Sequence, residues 1–160
     1  MITYLKLRWL LNVWLLCCAF LIVLPSILCA EDWPQAQGSN RDNKSTETEL
    51  LDKWPKDGPT LLWTFRHSGV GYSGPAVVSD RIYIMGGRNS RAELLSIDAA
   101  SGRLIWSKPV NKKIFDFEGN SWGAGPRATP TVAGEMIYAL AGDGELAAFN
   151  LEGELRWQIN

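Results

Sequence analysis

Apolar and polar positions alternate in short runs over residues 76–160, and nowhere there do they follow the 3.6-residue period of a helix. Ala76–Val78, Arg81–Met85, Glu93–Ile97 and Leu104–Ser107 predict four strands joined by turns at Ser79-Asp80, at the Gly86–Ser90 cluster and after Asp98. The layout then returns as Thr131–Ala133, Met136–Leu140, Glu145–Phe149 and Leu155–Gln158. Gly134-Glu135 and Gly142-Asp143-Gly144 are the matching turns, and the Asp143-Gly144 pair predicts a tight primed hairpin. Leu61–Phe65 reads as a single leftover strand.

The repetition reaches individual side chains. Ser73-Gly74-Pro75-Ala76-Val77 with Ile82-Tyr83 matches Ala128-Thr129-Pro130-Thr131-Val132 with Ile137-Tyr138 at a constant offset of 55 (130 minus 75). Asp98, Gly102 and Trp106 match Asn150, Gly153 and Trp157, each tryptophan standing four residues after its glycine. A short polar side chain can bond the turn backbone, glycine supplies a positive φ, and the indole lands on the return strand with a large face to bury. A repeat of this length built from four strands predicts an all-β propeller of antiparallel four-stranded blades, with about two blades and the leftover strand present. Two blades do not close a ring, so the expectation is an N-terminal piece of a longer propeller.

Residues 1–30 differ in kind. Lys6 and Arg8 precede the apolar run Trp9–Leu24, and Leu28-Cys29-Ala30 offers a small residue before Glu31-Asp32. This predicts an export signal cleaved near Glu31 or, alternatively, an uncleaved N-terminal anchor, with Cys29 raising lipidation as a third reading. In each case residues 31–160 lie outside the cytoplasm, in the periplasm or cell envelope, and the membrane is met only through an uncleaved or lipidated N-terminus. Cys17, Cys18 and Cys29 all fall in this segment, so cleavage after Ala30 leaves no disulfide. Without Lys6 and Arg8, 14 basic side chains face 17 acidic ones, a net charge near −3 with no basic stripe, which argues against nucleic acid. Residues 31–60 are polar apart from Trp33, Leu50, Leu51 and Trp54 and predict an extended arm, leaving 61–160 for the blades.

Candidate chemistry is sparse. His67 stands alone in a Gly/Ser-rich loop, and Asp116 with Glu118 reads as a solvated pair rather than a metal site. The 17-residue connection 111–127 is long for a compact domain, and it carries Phe115, Phe117 and Trp122. Trp122 sits outside the repeat register with Arg127 nearby, and Tyr72 and Ser73 hold the corresponding place one blade earlier. These four are the ligand-facing candidates, suited to a planar or anionic group.

The Asp98-Ala99-Ala100-Ser101-Gly102-x-x-x-Trp106 turn, with Ser-Gly-Pro and Thr-Pro before the first strands, resembles the tryptophan-docking repeats of quinoprotein-type β-propellers. Asp32-Trp33-Pro34-Gln35 with Gly38 and Asn40-Arg41-Asp42 is similar to the N-terminal approach of such propellers in exported bacterial proteins. The family includes pyrroloquinoline quinone (PQQ) dependent alcohol dehydrogenases and a non-enzymatic propeller lipoprotein of outer-membrane protein assembly. The resemblance implies either a binding scaffold for an envelope protein partner or for further blades, or the N-terminal part of a dehydrogenase using PQQ with calcium. The adjacent cysteines common beside the quinone have no counterpart after residue 30, and no calcium ligands or catalytic aspartate can be placed, which favours the scaffold. No catalytic or metal residue is therefore assigned.

Overall fold

The computed structural model describes residues 30–116 and 121–160; nearly all of the expected export signal or anchor (1–30), with all three cysteines, and Phe117 and Glu118 lie outside the described residues. Eight strands form in chain order: β1 Ala76–Val78, β2 Arg81–Arg88, β3 Arg91–Asp98, β4 Leu104–Pro109, β5 Thr131–Ala133, β6 Met136–Leu140, β7 Leu146–Asn150 and β8 Leu155–Ile159. They make two antiparallel sheets, ordered β1-β2-β3-β4 and β5-β6-β7-β8. These are two blades of a β-propeller, and they do not close a ring. The blades come nearest at β1 and β5, so that edge marks the axial side and β4 and β8 the periphery.

The 55-residue offset is kept in the hydrogen-bond register. Ala76 pairs with Tyr83, and Thr131 with Tyr138. Each outer strand carries a bulge at the same place, where Ser96 pairs with Trp106 but Ile97 with Leu104, and Ala148 with Trp157 but Phe149 with Leu155. One extra residue, Ile105 or Arg156, re-aims the tryptophan before the strand reaches its turn. In the first blade this sets Trp106 beside Tyr83, ring centroids 6.0 Å apart, on the face that meets the second blade. The core between the blades is formed by Tyr83, Met85 and Leu94 from one sheet and by Val132, Ile137 and Phe149 from the other.

Two turns depart from expectation. The Gly86–Ser90 cluster is not a loop: β2 continues through Gly86, Gly87 and Arg88, and only Asn89 and Ser90 turn, at φ 50° and 61°. Two successive positive φ values are what a two-residue primed hairpin needs. The glycines stay in the strand because another backbone crosses them. A Cβ on Gly86 would lie 1.6 Å from the Ser68 oxygen, and Val70 and Gly87 exchange N–H···O bonds of 3.1 and 2.6 Å. The Asp143-Gly144 turn, by contrast, is not primed, because only Gly144 has positive φ (91°). The Gly144 N–H donates to Ala141 O and the Ala141 N–H to Glu145 O, a wider turn in which glycine ends the loop.

Leu61–Phe65 belongs to neither sheet, correcting the expected strand. A strand exists only where a neighbour takes its backbone groups, and no ladder or bridge includes this segment. Leu61 and Leu62 are 77% and 83% exposed. Trp63 nevertheless behaves as its repeat position demands: its Nε1–H donates to Ala99 O (3.0 Å), and a Cβ on Gly102 would sit 2.5 Å from its ring. Trp106 makes the same pair of contacts one blade on, with Leu151 O (3.2 Å) and over Gly153. Trp157, at the next position, is 43% exposed.

These environments predict unequal costs of truncation. Trp106→Ala is expected to destabilise the first blade by about 3–5 kcal/mol, the range for emptying a packed aromatic site, and Trp157→Ala by less than about 1 kcal/mol, as at an exposed position. Hydrogen exchange of the β3 and β7 amides in each variant measures the difference, and equal losses would mean the register is misassigned.

Candidate functional site

The loops that lead into β1 and β5 run against each other at the end of the blades opposite the β3–β4 and β7–β8 turns. The Tyr72 N–H donates to Pro126 O (2.8 Å), and a Cβ on Gly125 would stand 2.6 Å from Val70 O. Glycine at 71 and 125, at φ 137° and 112°, permits this close approach. Three of the four candidates are thereby brought together. Tyr72 and Trp122 meet edge to face, with centroids 6.3 Å apart, and the Tyr72 hydroxyl donates to Trp122 O. The Arg127 guanidinium lies 5.1 Å from the Tyr72 ring centroid and donates to Gly123 O (2.9 Å). Tyr72 and Trp122 are 53% and 70% exposed, so the cluster is an outward platform rather than a closed pocket.

Ser73 turns the other way. Its hydroxyl reaches Ala128 O (2.8 Å) and Gly74 O (3.0 Å) and accepts the Met85 N–H (3.2 Å), tying the two leading loops and β2. Beside the platform, Phe115, Gly125, Arg127, Leu140 and Gly142 line a cavity of about 380 Å³. A second, of about 450 Å³, lies between the blades at the turn end, where Asp80, Arg81 and Glu152 surround Tyr83 and Trp106. His67 is exposed, its ring against Phe65. Asp116 is exposed, and its sequence partner Glu118 lies outside the described residues.

The repeat-signature residues serve the turns. Asp98 Oδ1 accepts the Ser101 N–H (2.8 Å) and hydroxyl, while Gly102 closes the turn at φ 68°. The Ser101 side-chain and backbone hydrogen bonds hold the Asp98 carboxyl below its ordinary value. Asn150 does the same work in the turn that is one residue shorter. Its Oδ1 accepts the Glu154 N–H (2.7 Å), and Gly153 follows at φ 80°.

Three polar residues that the sequence did not single out, Glu93, Ser96 and Asn111, are buried. Glu93 accepts from Asn89 Nδ2 (3.0 Å), Arg91 Nε (3.1 Å) and Ser107 Oγ (2.6 Å), with Arg88 Nη1 at 3.4 Å. Burial pushes its carboxyl up, but the bonds from Ser107, Asn89 and Arg91 and the charge of Arg88 outweigh that and hold it below the ordinary value. Asn111 accepts the Ala92 N–H (2.7 Å) and donates to Lys113 O and Asp143 Oδ2, linking β3 to the β6–β7 turn of the next blade. Glu93 had a legible signal, since the alternation Glu93-x-Leu95-x-Ile97 puts it on an apolar face. Asn111, in a polar run, had none.

Among the described residues no group of three or more His, Cys, Asp or Glu side chains is placed to hold a metal. The axial edges of β1 and β5 are taken by backbone bonds to residues 33 and 34.

Because the Glu93 carboxyl is depressed, its contribution is present above the ordinary value of 4.5 and is lost as pH falls below that through the lowered one. Melting temperature followed from pH 6 down to about pH 2.5 is expected to drop more steeply for the native chain than for Glu93→Gln. Parallel curves would remove the carboxylate from the stability account.

The structure of BamB from Moraxella catarrhalis is similar at 17% sequence identity and a TM-score of 0.35, over 62% of this chain. The chain spans 42% of that structure's length. No curated protein matched the chain. The family described as outer membrane protein assembly factor BamB matches residues 54–160, two thirds of the sequence, and the chain belongs to that family of PQQ-repeat β-propellers.

Proposed function

We propose that the chain is a non-catalytic binding and scaffold propeller of the cell envelope, exported by residues 1–30 as signal or anchor, with an arm at 31–60 and blades at 61–160. The observation that carries this reading is where the reactive side chains go. Glu93, Asp98, Ser73 and Asn111 are each committed to turns or to contacts within and between blades, and the Ser101 and Ser107 hydroxyls that reach the Asp98 and Glu93 carboxylates belong to those same structural networks. Membership in a family described as an assembly factor supports the same class of function.

Two surfaces remain for partners. The far face of the second blade repeats the layout with which the first receives its neighbour, Tyr138 and Trp157 lying 6.0 Å apart as Tyr83 and Trp106 do. That face takes a further blade, whose turn glycine comes to rest under Trp157 as Gly102 and Gly153 rest under Trp63 and Trp106. The outward platform of Tyr72, Trp122 and Arg127 faces an envelope protein, since Trp, Tyr and Arg are the side chains that most often anchor protein interfaces.

Titrating the chain with PQQ and calcium while following tryptophan fluorescence is expected to give no saturable, calcium-dependent quenching. Micromolar saturation that is lost in Trp122→Ala would replace the scaffold with the N-terminal part of a quinoprotein dehydrogenase.

A further inference from the structure

We infer that the axial edges of β1 and β5 form a strand-addition site for an extended Asp-Trp-Pro peptide, which the chain fills with its own residues 32–34. The inference uses the blade geometry underlying the proposed scaffold but not the absence of catalysis. Trp33 pairs with Val77 as an antiparallel bridge, with both bonds made: the Trp33 N–H donates to Val77 O (2.7 Å) and the Val77 N–H to Trp33 O (2.9 Å). One residue on, Pro34 O accepts the Val132 N–H of β5 (2.8 Å). One residue back, Asp32 Oδ1 accepts the Ser79 N–H at the β1–β2 turn (2.7 Å). Three consecutive residues thus satisfy amides on both blades.

Each of the three residue types has a reason. The aspartate gives its one contact a charged acceptor, which strengthens it. Proline has no N–H to leave unpaired and presents only the carbonyl that β5 uses. The indole folds back onto the arm itself, where Gly38 is buried and a Cβ would sit 2.8 Å from the ring. The arm is braced in that shape by Gln35 Nε2 to Ser39 O, Arg41 Nε to Gln35 Oε1 and Asn43 N–H to Gln37 O. A segment already held in its bound form loses little entropy on docking, which is what allows so short a contact to bind. Edge strands with free N–H and C=O groups add strands readily, and displacing residues 32–34 would leave these groups to an extended peptide carrying the same three residues.

The test uses the full chain with Trp33→Ala, hydrogen exchange as readout, and a synthetic peptide of residues 31–43 as probe. In the variant, whose arm loses the indole that packs on Gly38, the Val77, Ser79 and Val132 amides are expected to exchange at least about tenfold faster, the scale of one lost hydrogen bond. The β3 and β7 amides should hold. Added peptide should restore protection at the three amides, a Trp33→Ala peptide should need about tenfold more, and the native chain, its site filled, should show no change. Unchanged protection in the variant, or equal action of the two peptides, overturns the inference. Should Trp33→Ala fail to fold, Asp32→Ala removes only the carboxylate, and retained protection at Ser79 would be equally decisive. Quinone binding leaves these outcomes unaffected, so this inference and the scaffold reading fail separately.

Discussion

An indole resting on a glycine sets where each blade can stand. At Gly102 and Gly153 the backbone takes a positive φ, the ring of Trp63 or Trp106 lies where a Cβ would be, and the indole N–H bonds a carbonyl of the same turn. Any side chain at these glycines would meet both objections at once, the strained backbone and the occupied space. The bulge in β4 and β8 follows from the same demand, because a regular strand would not bring the tryptophan to that position while keeping the register on which Tyr83 and Tyr138 depend. The contact lies between units, so its energy belongs to neighbouring blades together, as expected when repeats stack.

The polar bonds between blades serve the same geometry at other radii. Near the axis, Pro34 O reaches β5 while Trp33 pairs with β1, and Ser73 spans from Met85 to Ala128. Nearer the periphery, Asn111 joins Ala92 to Asp143, and Gln158 donates to Val110 O. Apolar contact alone would allow two flat sheets to slide, since it has no direction. Hydrogen bonds at several distances from the axis oppose both sliding and splaying.

Legibility followed periodicity. Alternation gave the eight strands, the offset of 55 made Tyr83 equivalent to Tyr138, and the four-residue spacing from turn glycine to tryptophan made Trp106 equivalent to Trp157, because repeated spacing reflects repeated contacts. What sequence alone misplaced depended on chain segments far apart. Gly86 and Gly87 look like a turn until Ser68 and Val70 cross them, and Leu61–Phe65 looks like a strand although no neighbour takes its hydrogen bonds. The candidate cluster was legible in the same measure. Tyr72, Trp122 and Arg127 come together because their loops occupy equivalent places in adjacent blades. Ser73 departs because its hydroxyl is short and sits beside carbonyls that the apposed loops leave open.

The buried carboxylate of Glu93 shows how a fold of this kind restricts where function can lie. A charge with almost no solvent contact is tolerable only when several donors surround it, and here Arg88, Asn89, Arg91 and Ser107 all turn to that task. Those side chains come from the far end of the β2–β3 hairpin and from β4, so the network locks three strands of one blade together. Donors spent in this way are not free to hold a ligand, and the same accounting applies to Asp98, Asn150 and Asn111 in the turns. On the leading loops, by contrast, Tyr72 and Trp122 keep more than half of their surface in solvent. On the scaffold reading proposed above, a rigid repeat whose polar groups stabilise its own frame would hold a partner through the aromatic residues displayed on its loops.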